Sequence, residues 1–145
     1  MALAYPKQEK RITREEALKL ADGEFSLMMR AYHSVEGFVA CCTCGLRIEW
    51  KGTGTAHWGH YKNRGYMWTR WDPNNGGPQC EGCNSFGDGM EDQMRKHLVS
   101  MHGEAEVVRI ETEYKRLLQA NVYDIIDLAD KFREKKNEII LEKKL

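Results

Sequence analysis

Two C-x-x-C pairs, Cys41–Cys44 and Cys80–Cys83, constrain this chain more than any other feature. Each pair lets two thiolates reach one ion at about 2.3 Å, and two such knuckles complete a tetrahedral zinc shell. The 35 residues from Gly45 to Gln79 exceed the span of a short zinc finger, so a small substructure must lie between the knuckles. Disulfides are the competing use. The odd count of five cysteines, the adjacency of Cys41 and Cys42 and the lack of an export signal disfavour them. Cys42 is then a spare, half-buried residue of the knuckle strand. Structural zinc supplies roughly 10–16 kcal/mol of apparent binding energy in small units, so metal and fold should be inseparable.

Around this staple the chain divides into three expected segments: 1–36, 37–103 and 104–145. Met1–Lys10 is polar, which predicts a loose leader and a cytosolic protein (host cytoplasm, if phage-encoded), and no apolar run approaches the roughly 20 residues of a membrane span. Thr13-Arg14-Glu15-Glu16 reads as a capping box opening a helix in which Ala17, Leu18, Leu20, Ala21, Phe25, Met28, Met29 and Tyr32 recur at helical spacing. Phe38–Cys44 and Leu46–Lys51 predict a hairpin around the first knuckle. Thr55–Tyr61 and Tyr66–Asp72 predict a second strand pair, with 73–78 a loop. Helices are expected over about 89–101, 104–120 and 122–136. The fold class is therefore α+β.

Net charge is zero, an argument against a nucleic-acid partner on bulk terms, but its distribution is uneven. Cys41–Asn75 carries three more cations than anions, and Gly76–Ala105 three more anions than cations. A basic middle with aromatics is a plausible polyanion face. Within it lies Ala56-His57-Trp58-Gly59-His60-Tyr61-Lys62, whose two histidines, three apart on a strand, must point to opposite faces. Asn84 directly follows Cys83 and is placed rigidly by the zinc, and Asn75 sits on the loop entering the second knuckle. Each has a bland reading: a strand histidine bonded to backbone, an asparagine in a turn. Trp50, Trp58, Trp68 and Trp71 read as a small core around the zinc.

The order of knuckle, histidine strand, asparagine loop, knuckle and helix resembles the HNH nucleases. Cys41-Cys42-Thr43-Cys44-Gly45, His57-Trp58-Gly59-His60-Tyr61, Arg70, Gln79-Cys80-Glu81-Gly82-Cys83-Asn84, Gly89, Arg95, Leu98 and Gly103 resemble more closely the lambdoid phage NinG (Rap) recombination endonucleases. The Cys-x-x-Cys-Asn arrangement is also similar to the endonuclease VII resolvases. The resemblance runs from about residue 20 to 108.

It implies a zinc-bound ββα-metal core flanked by an N-terminal helix and C-terminal helices, and a nuclease that cuts branched DNA such as Holliday junctions and D-loops. His60 stands at the general-base position, Asn84 at that of a Mg²⁺ or Mn²⁺ ligand, and Asn75 at that of the middle asparagine, which holds the His60 ring or its loop. Arg64, Arg70 and Lys62 are expected on substrate phosphates. Many HNH enzymes have Asp just before the base, where this chain has Gly59. Either His57 supplies that ligand, or the ion is held by Asn84, water and DNA phosphate. A two-fold substrate with two incisions suggests a homodimer joined through the helices after Gly103. A non-catalytic zinc-knuckle binding module, or an HNH enzyme of nicking or restriction type, are the rival functions.

Overall fold

The structure, a computed structural model, describes residues 11–52, 54–86 and 90–145; the expected leader over Met1–Lys10 and the expected helix start at Gly89 lie outside them. The fold is mixed α+β, as expected. Helix α1 spans Arg14–His33 and opens on Thr13, whose hydroxyl accepts from the Glu16 N–H at 3.1 Å, one half of the expected capping box. Ala17, Ala21, Phe25 and Met28 form its buried stripe. The helix stops at Ser34, and a tight turn follows through Glu36 (φ 51°) and Gly37 (φ 81°). Two consecutive left-handed residues match the natural twist of a two-residue hairpin, so the chain reverses there into β1.

Strand β1 (Phe38–Ala40) pairs antiparallel with β2 (Arg47–Glu49), as the first hairpin predicts. The second pair differs from expectation. Strand β3 (His57–His60) pairs with β4 (Gly76–Gln79), while Met67–Arg70 within the expected partner strand is a single helical turn, α2. Packing decides this against local propensity. A Cβ on Gly76 would collide with the Gly59 carbonyl and the Trp58 indole, and one on Gly77 would lie 3.0 Å from the Cys42 sulfur and 3.3 Å from His97 Nε2. The first two positions beside β3 leave no room for a Cβ, so Gly76 and Gly77 open the partner strand in place of the bulky Tyr66–Asp72 segment. From its far edge β4 accepts the Cys42 N–H on the Pro78 carbonyl at 2.8 Å, which brings the knuckles together.

A π-helical turn, Gly82–Phe86, follows the second knuckle. Helix α3 (Glu91–His102) lays Met94 and Leu98 against Tyr61, and α4 (Glu104–Glu113) adds Val107 and Ile110 to the same cluster. α4 ends short of the expected 120, where Tyr114 leaves the helix to pack edge-on against Tyr66 at 4.6 Å.

Helix α5 (Val122–Lys143) outruns its expected end at 136 because Ile139 is still buried. It lies parallel to α1. Arg14 reaches the Ala120 carbonyl, Lys136 pairs with Glu24 at 2.7 Å, and Lys143 Nζ donates to the carbonyls of Ala31, Tyr32 and Ser34 at the end of α1. A cation there satisfies carbonyls that a helix end leaves orphaned and complements its dipole. Ala17, Ala21, Ile125 and Ala129 are wholly buried between the two helices. The apolar stripe expected to join two copies is thus largely covered by the chain's own α1. Trp50 and Trp58 lie in the cluster under α1 with Phe25 and Val39, Trp71 packs against it and Trp68 is 37% exposed, so the four tryptophans do not form a core around the four cysteines. No helix among the described residues is long and apolar enough to cross a membrane.

Candidate functional site

The sulfurs of Cys41, Cys44, Cys80 and Cys83 lie within 4.8 Å of one another. Cys44 and Cys80 are 3.7 Å apart, close to the edge of about 3.8 Å expected for a tetrahedron with metal–sulfur bonds near 2.3 Å. Gly45, at φ 79°, turns the first knuckle, and the Cys83 N–H donates to the Cys80 sulfur at 3.4 Å in the second. Four clustered thiols with this spacing fit a metal such as zinc. Cys42 stands apart: its sulfur lies 3.7 Å from that of Met94, and burial, with neighbouring thiols, pushes its pKa up to about 12. It is the spare residue that the spacing predicts.

On the other side of β3 an open cleft of about 620 Å³ runs between α1 and the strand. His57, His60, Asn84 and Arg64 line it, together with two residues that the sequence did not suggest, Lys19 and Asp22 of α1. The strand does not alternate simply: His57 is exposed, Trp58 and Gly59 are buried and His60 is half-buried. Although their spacing predicts opposite faces, His57 and His60 line one cavity together with Trp58.

The His60 ring is held at one nitrogen. Nε2 lies 2.8 Å from the carbonyl oxygen of Arg70, and a carbonyl can only accept, so the proton of the neutral ring sits on Nε2 and the Nδ1 lone pair remains. Burial lowers the pKa of His60, outweighing the Arg70 carbonyl and the charge of Asp22, which favour the protonated ring. A neutral imidazole with a directed lone pair is a base by construction.

Asn75 is completely buried and touches the loop, not the ring. Its Oδ1 accepts from the Lys62 N–H at 2.9 Å, while Nδ2 donates to the carbonyls of Lys62 at 2.9 Å and Thr69 at 3.0 Å. One carboxamide therefore fixes both ends of the Lys62–Thr69 excursion, just before the carbonyl that holds His60.

The expected phosphate-binding cations separate. Arg70 is committed: Nε and Nη2 donate to the two oxygens of Asp22 at 2.9 and 2.6 Å, and Nη1 donates to the Arg64 carbonyl at 2.7 Å. Lys62 pairs with Glu91 at 3.3 Å and lies over the rings of Tyr61 and Tyr114. Arg64 keeps 68% of its side chain exposed, 3.9 Å from Asp22. Arg64 and Lys19 are therefore the cations presented at the cleft.

Gly59 is explained by packing. A Cβ there would fall on the Gln79 carboxamide, so an Asp side chain at this point of the strand requires the buried Gln79 side chain to move. Asp22, the carboxylate in the cleft, has its oxygens taken by Arg70 and by the Trp71 indole N–H at 3.0 Å. Among the described residues, no His, Cys, Asp and Glu group other than the four cysteines has metal-site geometry.

The fold and site thus define an α+β protein with four cysteines clustered in a geometry that fits a metal such as zinc, and a histidine-lined cleft. No protein-family model, curated protein or solved structure matches the chain.

Proposed function

We propose that the chain is a metal-dependent DNA endonuclease of the ββα-metal type. Its substrate in this reading is branched DNA, Holliday junctions and D-loops, in phage recombination, and its products carry 5′-phosphate and 3′-hydroxyl ends. The observation that carries the reading is the convergence of His57, His60, Asn84 and Arg64, chosen by sequence pattern, on one cleft in which His60 has a carbonyl-anchored Nε2 and a free Nδ1. The likeness to NinG and endonuclease VII supplies the branched substrate.

In this mechanism Nδ1 of His60 takes a proton from the water that attacks phosphorus. Arg64 and Lys19 bind phosphate oxygens beside it. Mg²⁺ or Mn²⁺ would be held by Asn84 and His57 and would supply charge neutralisation at the scissile phosphate. With no free carboxylate in the cleft, most of the ion's oxygen ligands must be water and DNA, so divalent binding should be weak until DNA is present. Two symmetry-related incisions call for two centres, and two copies are expected on one junction. The α5 stripe being used internally, Val108, Leu117, Leu118, Tyr123 and Leu141 are, among the described residues after Gly103, the exposed large apolar residues left for that contact.

The experiment is parallel incubation of the protein and Mg²⁺ with labelled four-way junction, fork and linear duplex. Cleavage of the junction by the wild type, lost by at least ~100-fold in His60→Ala with junction binding retained, is the expected result. Binding without cleavage under any divalent ion would leave a zinc-knuckle binding module. Equal cutting of linear duplex would point to a nicking or restriction-type enzyme.

A further inference from the structure

Helix α1 lies outside the segment between the knuckles, yet it contributes a carboxylate whose bonds lead directly to His60. We propose that Asp22 is a positioning residue for His60: by holding the Arg70 guanidinium, it fixes the main-chain carbonyl that orients the ring.

The chain of contacts has three links. Asp22 receives Arg70 through both carboxylate oxygens, a forked geometry that sets direction as well as distance. Arg70 is the last residue of α2, where carbonyls have no partner within the helix, and its carbonyl takes the His60 Nε2–H at 2.8 Å. The same guanidinium closes the loop on the Arg64 carbonyl at 2.7 Å, so the pair also sets the backbone that presents Arg64 to the cleft. Partial burial strengthens the Asp22–Arg70 fork and the bond from Arg70 to His60. The Asp22 and Arg70 side chains are 17% and 13% exposed, and the Trp71 indole gives Asp22 a further donor at 3.0 Å. Asn75 holds this loop up to the Thr69 carbonyl, and the Asp22–Arg70 pair holds the residue after it. The one-turn helix α2 has no other side-chain anchor to α1 of this strength. A four-residue helix cannot hold its own register, so the carbonyl's position depends on these external bonds.

The catalytic arm of this inference rests on the nuclease reading; the structural arm does not. The test uses the full chain with its zinc, and the variants Asp22→Asn and Arg70→Lys, both of which lose the fork. Proton NMR reads the His60 Nε2–H resonance and its exchange with water. The wild type should show a protected proton. Each variant should exchange it at least ~10-fold faster at unchanged zinc content, and should lower kcat on junction DNA about 10- to 100-fold with KM little changed. Should Asp22→Asn fail to fold, Arg70→Lys carries the measurement alone. Unchanged exchange in the folded variants overturns the inference even if the wild type cleaves DNA. Faster exchange in a protein that never cleaves supports the positioning and overturns the nuclease reading instead.

Discussion

Asn75 and Lys62 exchange a reciprocal pair of hydrogen bonds, the Lys62 N–H donating to Asn75 Oδ1 and Asn75 Nδ2 donating back to the Lys62 carbonyl, each at 2.9 Å. A side chain here imitates a strand partner, continuing the β3–β4 ladder past its last residue. Replacing Asn75 by Ala leaves three backbone groups without it in a buried site, so a loss of about 3 kcal/mol is expected. Asn75→Asp should do little better, because a carboxylate accepts the Lys62 N–H but repels the carbonyls of Lys62 and Thr69. Denaturant unfolding of the two variants checks this; near-wild-type midpoints would mean that the loop holds itself.

The cysteine cluster makes a sharp distinction between neighbours. One zinc per chain is expected, lost on substitution of Cys41, Cys44, Cys80 or Cys83 by Ser, with collapse of the β3–β4 region. Cys42→Ala should retain full zinc and cost about 1 kcal/mol or less of packing. Elemental analysis together with thermal unfolding separates the two cases. Folded wild-type protein devoid of zinc would refute the assignment.

Gly59→Asp supplies the carboxylate common in HNH enzymes, yet the Gln79 carboxamide occupies that space. The substitution should therefore destabilise the protein by about 2 kcal/mol and leave Mg²⁺ affinity without DNA unchanged. Shortening the obstacle in Gly59→Asp/Gln79→Ala should recover part of the stability. A tighter Mg²⁺ site in the single variant, read by calorimetry, would contradict this packing account.

His33 predicts an acid sensitivity. Its ring stacks on Trp58 at 5.6 Å, and burial, with the charges of His97, His102 and Lys143, lowers its pKa to about 4. The unfolded chain binds this proton near 6.5. Stability from His33 is thus fully present above that pH, falls as pH drops from 6.5 to 4, and is constant below. His33→Phe keeps the stacking and removes the proton. The variant should lose less Tm than the wild type between pH 7 and 5, by about 3 °C; comparing the two cancels any acid release of zinc. Parallel losses would place the titrating group elsewhere.

Much of this architecture was legible because it rests on local chemistry. Thr13 marks the start of α1, and the two C-x-x-C pairs meet as their spacing requires. What sequence could not show was decided by packing. Gly76-Gly77-Pro78 reads as a loop on propensity, yet forms β4 because no side chain fits beside Trp58, Cys42 and His97. Tyr66–Asp72 reads as a strand on propensity, yet turns through α2, where Arg70 meets Asp22. Lys19 and Asp22 carry no motif; no local pattern reveals that their helix face borders a cleft with residues about forty positions away. For the same reason Arg70 read as a phosphate ligand rather than as half of an internal ion pair.

The parallel embrace of α1 and α5 has a consequence for how the molecule is made. Its bridging contacts join residues 106 to 112 positions apart. During synthesis α1 emerges early and must wait, its apolar stripe bare, until nearly the whole of α5 has left the ribosome. Contacts that distant form slowly, since the loop entropy is spent before any of them is gained. The knuckles, about 40 residues apart, can close around their metal well before. A nascent chain whose second knuckle has left the ribosome while α5 is still inside would therefore show a closed cysteine cluster beside a bare first helix, an apolar surface of the kind that favours aggregation.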